Sequence, residues 1–171
     1  MAIIGAAMAP HPPLIVPAVG RGGEAQIAQT TQAYEKTARQ IAAWQPETVV
    51  IITPHSVMYQ DYIHISPGAG ARGDFGRFGA PGARYQVAYD QPLVDEIVRL
   101  AQSKGLAAGT AGERQPALDH GFLVPLHFLA QAMGSPWPCR FARVGLSGLP
   151  FETHYRLGML IREAAETLSR R

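Results

Sequence analysis

Uninterrupted apolar runs alternate along the chain with stretches in which apolar residues recur every three or four positions. Residues 2–9 and 49–52 form two short runs that contain no polar side chain. Such runs are typical of strands buried on both faces of a parallel sheet. The second run is bounded by Pro46 and Pro54, which interrupt regular structure because proline has no N–H for a ladder. We predict two buried strands, joined through a helix as a parallel β-loop-α-β unit.

The helical spacing predicts amphipathic helices over three stretches, residues 24–45, 91–103 and 151–169. Asp90 is a candidate N-cap for the second, and Gly105 lies just past its end. In the last helix Tyr155 is predicted among the inward-facing residues. A further helix is expected to begin near Gly121, with Pro125 in its first turn.

Shorter strands are predicted over residues 57–66, 106–110 and 139–146. In the first of these, Met58 and Ile65 are candidate inward positions, and His64 is expected to be structural. Residues 67–84 contain six glycines, from which we predict a long loop without regular structure. The arginines of this loop, Arg77 among them, would suit a lid over a flat anionic ligand. A mobile surface loop is the interpretation that the sequence favours.

Composition narrows the class of protein. A length of 171 residues, with 47% hydrophobic and 16% charged residues, suits one globular domain over residues 1–171. A net charge of +2 without a basic helix face argues against nucleic acid as a partner. Cys139, the single cysteine, excludes an intramolecular disulfide and fits a reducing compartment. With no signal peptide and no membrane-length apolar stretch, we expect a cytoplasmic protein without a membrane partner.

Histidines follow both apolar runs. His11 stands in Pro-His-Pro-Pro and His55 in Thr-Pro-His-Ser. Because ligands of open α/β sheets bind at the carboxyl ends of strands, the two imidazoles would share one crevice. Imidazole is the commonest protein ligand for transition metals, although coincidence is the alternative in a chain with 14 prolines and 6 histidines. His120 follows Asp119 at a predicted helix start, where the helix dipole favours the neutral imidazole. His127 lies two turns further on, and taken alone it is better explained by core packing.

The order and contexts of the three motifs, His11, His55 and Leu-Asp-His-Gly at His120, resemble the LigB-type class III extradiol ring-cleavage dioxygenases. This family includes Memo-like proteins and the dioxygenase-like domain of AmmeMemoRadiSam system protein A, which the chain resembles most. The likeness extends from residue 1 almost to the end. It implies a three-layer α/β/α fold with a mostly parallel, mixed central sheet, of the phosphorylase/hydrolase-like kind. It also implies that His11 and His55 bind a non-haem Fe(II) and that His120 is the acid/base.

Iron held by two histidines and a carboxylate keeps open positions for a small aromatic diol and for O2. His127 and Arg77 are our candidate substrate-binding residues. The sequence departs from the family's pattern in one respect, because the family's strand and glutamate beyond the last helix have no counterpart here. The nearby carboxylates, Glu113, Asp119 and Glu152, lie outside the context of that ligand, and Asp119 is expected to orient His120. We therefore expect a weak or incomplete Fe(II) site, in which zinc is another candidate, in a fragment, a split subunit or a degenerate homologue.

Three functions remain open at this point. The first is an extradiol dioxygenase or its catalytic half, with a homo-oligomer or a complementary subunit as the partner. The second is a non-catalytic, Memo-like binding module that uses the histidine-lined cleft for a ligand or a partner protein. The third is a zinc-dependent hydrolase, which we disfavour because the sequence offers no third tetrahedral ligand. Metal analysis would separate them.

Overall fold

The fold was analysed in a computed structural model that describes residues 3–134 and 136–170. Its helices are α1 (Pro17–Gly20), α2 (Ala28–Trp44), α3 (Gln91–Ser103), α4 (His120–Met133) and α5 (Phe151–Thr167). Its strands are β1 (Thr48–Thr53), β2 (Ile63–His64), β3 (Gly70–Phe75), β4 (Ala80–Ala88), β5 (Ala108–Gly109) and β6 (Arg140–Gly145). Three short 3-10 helices occupy Pro13–Ile15, Gly23–Ile27 and Gly76–Phe78.

Strand β6 is the centre of the sheet. It pairs in parallel with β1 over its whole length, from Thr48 opposite Arg140 to Thr53 opposite Gly145. On its other side, Ile65 forms an antiparallel bridge to Val144, and Tyr89 forms a parallel bridge to Phe141. Strands β2 and β5 are also parallel, whereas β3 and β4 form an antiparallel hairpin. The sheet is therefore mixed and mostly parallel.

Helices cover both faces of this sheet. Helices α2 and α4 pack together on one face, where they bury the cluster that contains Phe122 and Phe141. Helices α3 and α5 pack together on the other, over a cluster that contains Ala142 and Val144. The side chains of β6 thus alternate between the two cores, as the two-residue period of a strand requires. The predicted three-layer α/β/α fold is confirmed.

The N-terminal apolar run departs from its prediction as a buried strand. Residues 3–8 are exposed and in no strand, and Met8 has 101% of its reference surface accessible. A Cβ on Gly5 would lie 2.2 Å from the ring of Trp44, just before β1, and His11 contacts His55, just after β1. The segment therefore runs beside β1 in the same direction. Strand formation needs a main-chain partner as well as apolar side chains, and the described residues provide none for residues 3–9.

Strand β1 forms where predicted but is not buried on both faces. Ile51 packs into the first core, whereas the side chain of Ile52 is 54% exposed. Val50, on the same face as Ile52, still packs against the second core. Helices therefore cover this face of β1 at Val50 but not at Ile52. An uninterrupted apolar run in the sequence does not show where the covered part of a strand ends.

The stretch predicted as a loop, residues 67–84, contains most of a β-hairpin instead. Several of its glycines allow close approach or a positive φ, rather than marking disorder. A Cβ on Gly73 would lie 2.6 Å from the carbonyl oxygen of Leu118, and Gly79 adopts a φ of 76° at the hairpin tip. Composition alone does not distinguish glycines of this kind from those of a mobile loop.

The remaining differences concern element ends and faces. Helix α3 begins and ends as predicted, with the Asp90 carboxylate accepting a hydrogen bond from Leu93 N. The strand predicted over 57–66 shortens to β2 and leaves Met58 exposed. Helix α4 already begins at His120, so Pro125 lies inside it rather than in its first turn. Tyr155, predicted to be buried, is 71% exposed, because the inward face of α5 passes through Leu157, Leu160, Ile161, Ala164 and Ala165.

Candidate metal centre

Three histidines far apart in the sequence meet at the carboxyl edge of β1. The Nε2 atoms of His11 and His55 lie 2.9 Å apart. The ring centroid of His120 is 3.8 Å from that of His55 and 5.8 Å from that of His11. One possible ligand nitrogen from each ring lies within 4.8 Å of the others. The expected convergence of the three histidines is therefore present in the structure.

His11 is held in place from helix α2. The hydroxyl of Tyr34 donates a hydrogen bond of 2.5 Å to the carbonyl oxygen of Pro10. Burial raises the pKa of Tyr34 to about 12, so the phenol remains a donor throughout the neutral range. Tyr34 is one of the buried residues of α2, and its helical position gives no indication that its hydroxyl also anchors the segment before His11.

His55 and His120 are joined through Thr53, the last residue of β1. The Thr53 hydroxyl donates to Asp119 Oδ1 at 2.6 Å and accepts from the backbone N–H of His55 at 3.2 Å. Asp119 is also the N-cap of α4, since its Oδ1 accepts from Phe122 N. The Asp119 carboxylate thus fixes the start of α4, the helix that carries His120. It does so by its bonds to Thr53 and Phe122 N and not by a hydrogen bond to the His120 ring.

Gly121 allows this close approach of α4 to β1. A Cβ at this position would lie 2.4 Å from Thr53 Oγ1 and 3.1 Å from His55 Cδ2. Real Cβ atoms essentially never approach so closely. Only glycine fits at position 121 without displacing Thr53. Gly121 therefore allows His120 to lie beside His55.

The environment of His120 favours the neutral imidazole. Burial lowers the pKa of His120 most strongly, and His55, His11 and Arg77 lower it further, whereas Asp119 acts in the opposite direction. A neutral imidazole is the form that can accept a proton or bind a metal ion. The sequence predicted that the helix dipole would favour the neutral form of His120. In the structure, burial and two neighbouring imidazoles lower its pKa in the same direction.

The hairpin between β3 and β4 reaches the histidine cluster with its tip. The Phe78 ring stands edge-on to His120 at a centroid distance of 5.3 Å. Arg77, the preceding residue, is exposed and close enough to influence His120 electrostatically. Arg21 donates to the carbonyl oxygen of Gly79 at 3.0 Å and so holds the tip. The segment that the sequence favoured as a mobile surface loop therefore ends in an anchored tip beside His120.

His127, the other candidate substrate-binding residue, does not join the cluster. Its Nδ1 lies 2.9 Å from the hydroxyl of Tyr85, and its Nε2 lies 2.9 Å from the side-chain amide of Gln131. Burial lowers the pKa of His127, so its imidazole is also held neutral. Both ring nitrogens are engaged between α4 and β4.

The geometry allows a test of which metal coordination the cluster fits. Two nitrogens about 2.1 Å from one ion are about 3.0 Å apart at a right angle and about 3.4 Å apart at a tetrahedral angle. The observed 2.9 Å between His11 and His55 is close to the right-angle value. The same distance is that of a hydrogen bond between the two rings, and it is also compatible with two ligands of one ion. The cluster can therefore hold a metal ion.

The donor set differs from expectation in two ways. His120 provides a third imidazole within reach, so our objection that zinc would lack a third tetrahedral ligand was wrong. Within residues 3–134 and 136–170, no carboxylate joins the three rings. Asp119 bonds to Thr53 through Oδ1, while its buried Oδ2 has no hydrogen-bond partner among the described residues, and Glu113 pairs with Arg143. The assembled donors are three imidazoles.

The three-layer α/β/α fold and the histidine cluster at the carboxyl edge of its sheet are the features that the resemblance to LigB-type proteins implied. The sequence matches, over residues 5–171, the family described as the catalytic LigB subunit of aromatic ring-opening dioxygenase. The chain belongs to this LigB family. It is 33% identical over 176 residues to Protein CA_C1420 of Clostridium acetobutylicum, an alignment that includes 99% of this chain. The chain spans 37% of the length of that relative.

Among the described residues, no helix combines the length and the apolar character required to cross a bilayer.

Proposed function

We propose that this chain is the catalytic domain, or the catalytic half, of a non-haem Fe(II)-dependent extradiol dioxygenase that opens a catechol-type ring with O2. The observation that carries the proposal is the convergence of His11, His55 and His120 at the carboxyl edge of the sheet in a member of the LigB family. The family to which the chain belongs supports iron, because its description is that of an aromatic ring-opening dioxygenase.

In this proposal His11 and His55 hold the metal and His120 moves protons. Divalent iron bound there would lower the pKa of a catechol hydroxyl and hold the diol beside dioxygen. A ring nitrogen of His120 accepts the proton from the substrate hydroxyl oxygen and later returns it to the opening product. This role requires a neutral imidazole, and burial and the neighbouring rings lower the pKa of His120 in that direction.

The hairpin tip would form the wall against which the aromatic ring binds. Phe78 offers an apolar ring beside His120, and Arg77 offers a cation for an anionic group on the substrate. His127 would contribute indirectly, by fixing Tyr85 of β4 from the same helix that presents His120. These assignments name a substrate class, a planar aromatic diol, rather than a particular compound.

The lack of a carboxylate in the described cluster favours one alternative. A Memo-like module could use three imidazoles to bind a ligand or a partner protein without ring cleavage. Within the dioxygenase proposal, a carboxylate outside residues 1–171 would have to supply the anionic ligand, because neutral imidazoles leave the charge of the metal uncompensated. A partner chain or a longer chain that continues past Arg171 would provide it. We accordingly expect residues 1–171 alone to bind iron weakly and to turn over slowly.

An anaerobic Fe(II) titration, followed by oxygen uptake with protocatechuate, tests the proposal. With a carboxylate-supplying chain present, His11→Ala and His55→Ala should each remove the Fe(II) affinity of the wild type, whereas His120→Gln should keep that affinity and lose turnover. His154→Ala is the matched control, because His154 contacts Ser147 and Pro150 rather than the cluster. Protein that is purified without metal, and that gains no Fe(II) affinity when a carboxylate-supplying chain is added, would favour the binding module. Stoichiometric zinc with hydrolytic activity would refute the iron assignment.

A further inference from the structure

Arg143 is a buried charge that sequence analysis did not single out. It lies in β6, where a charged residue interrupts the otherwise apolar run Phe-Ala-Arg-Val, and its side chain is 1% exposed. The guanidinium donates to Ser66 Oγ at 2.7 Å and to Glu113 Oε2 at 3.3 Å. It also donates to the carbonyl oxygens of Gln115 and Ala117, each at 2.8 Å.

This set of acceptors differs from that of an ordinary ion pair. Three of the four are neutral, and two are main-chain carbonyls of the segment 113–118, which contains no helix or strand. A buried charge is tolerated only where hydrogen bonds replace the lost water. The planar guanidinium fork can bond several acceptors at fixed angles, whereas lysine cannot. Arg143 therefore gives a segment without regular structure a defined position.

The segment held in this way leads directly to the histidine site. Asp119 follows Ala117 by two residues, caps α4 and bonds to Thr53, and His120 is the first residue of the helix. On its other side the segment is tied to β3, where Leu118 N donates to the carbonyl oxygen of Arg72 at 3.0 Å. The approach to His120 is thus fixed from β6 and from the hairpin together.

We propose that Arg143 is a positioning residue for His120, acting through the segment 113–118 and the cap of α4. The inference rests on the proposed function, in which His120 transfers protons to and from the substrate. Arg143 itself contacts none of the three histidines through its recorded hydrogen bonds. Its loss should therefore affect the placement of His120 more than the binding of a metal by His11 and His55.

The test compares Arg143→Lys with Glu113→Gln, a milder variant that keeps the two carbonyl contacts. Asp90→Asn is the matched control, because Asp90 is also buried and paired with an arginine, Arg170, at 2.8 Å. Asp90 bonds to Thr48, the first residue of β1, and so lies at the opposite end of that strand from His55. The measurements are thermal stability, amide hydrogen exchange, Fe(II) affinity, and kcat and KM for protocatechuate, with the natural carboxylate-supplying partner present if one is needed.

We expect Arg143→Lys to accelerate exchange of the capped Phe122 and Leu123 amides by about tenfold or more, since their acceptors belong to Asp119. It should lower kcat by about 10- to 100-fold, because small misplacements of catalytic groups have effects of this size. KM and Fe(II) affinity should stay within about threefold of wild type, and Glu113→Gln should show a smaller change in the same direction. Asp90→Asn should lose stability and leave both kcat and the exchange at Phe122 unchanged.

The inference is overturned if Arg143→Lys loses stability like the control while the Phe122 amide and kcat keep their wild-type values. Should Arg143→Lys fail to fold, an unchanged Phe122 amide in Glu113→Gln together with unchanged kcat would overturn it equally. A wild-type protein that binds iron but never cleaves a catechol refutes the proposed function instead. The exchange measurement would still decide whether Arg143 positions the start of α4.

Discussion

Replacing Gly121 by alanine tests the contact between α4 and β1 that brings His55 and His120 together. The added methyl group would lie 2.4 Å from Thr53 Oγ1 and 3.0 Å from Asp119 Oδ1, the two atoms that link the helix cap to the strand. Neither can retreat freely, since their mutual hydrogen bond is 2.6 Å long. Either the hydrogen bond breaks or the first turn of α4 moves away from His55.

Gly158 provides a matched control within the same molecule. It lies inside α5, and a Cβ added there meets no atom within 4 Å. Alanine is favoured over glycine in a helix by about 1 kcal/mol, so Gly158→Ala should stabilise the protein by up to that amount. Gly121→Ala receives at most the same gain, but forcing a methyl group into a packed site costs about 1–3 kcal/mol. We therefore expect the two variants to differ by about 1–3 kcal/mol in unfolding free energy.

Chemical denaturation measures this difference, and titration with Fe(II) measures its effect on the site. Gly121→Ala should be the less stable variant and should bind the metal more weakly than wild type, because His55 lies within 3.1 Å of the new methyl group. Gly158→Ala should bind as wild type does. Equal stabilisation by both substitutions, with unchanged metal affinity, would refute the close approach of α4 to β1.

Three further predictions concern the scaffold. Ile51→Ala should cost about 2–5 kcal/mol and Ile52→Ala about 0.5 kcal/mol or less in denaturation experiments, because only Ile51 is buried. Burial alone would raise the pKa of Asp90, but hydrogen bonds, led by that from Arg170, hold it below its usual value. Its contribution to stability is thus complete above the unfolded-state pKa near 4 and is lost as the pH falls below it, so Asp90→Asn should flatten the acid limb of a stability–pH curve. Burial raises the pKa of Cys139 to about 11, so labelling by a thiol reagent at pH 8 should be slow in the folded protein and fast after unfolding; fast labelling of the native state would contradict its burial.

The elements that sequence predicted best are those whose ends carry their own chemical markers. Helix α3 has an aspartate cap at one end and Gly105 with a φ of 62° past the other, and both of its ends were correct. The positions of His55 and His120 could likewise be predicted, since one follows a strand and the other starts a capped helix. These features are local, so the sequence contains them directly.

The errors involve contacts between segments that are distant in the sequence. Residues 3–9 have strand-like composition, but composition does not specify a ladder partner. The glycines of the β3–β4 hairpin suggested a loop because the close contact of Gly73 with Leu118 is a tertiary property. Thr53 was visible in its motif, but its bond to Asp119, 66 residues away, was not. Arg143 had a recognisable signal, a lone charge in an apolar strand, whereas its acceptors could not be inferred.

The three histidines differ in how firmly hydrogen bonds and packing hold their main chain in place. His55 and His120 are joined through Thr53 and Asp119, next to the buried first turn of α4. His11 follows an exposed segment that is tied to the fold by the bond from Tyr34 to Pro10 and by the packing of Ala9 against the first core. Local opening requires the least free energy where few buried contacts must break. We therefore expect the segment before His11 to open before β1 or α4 does, and metal retention to depend on that opening.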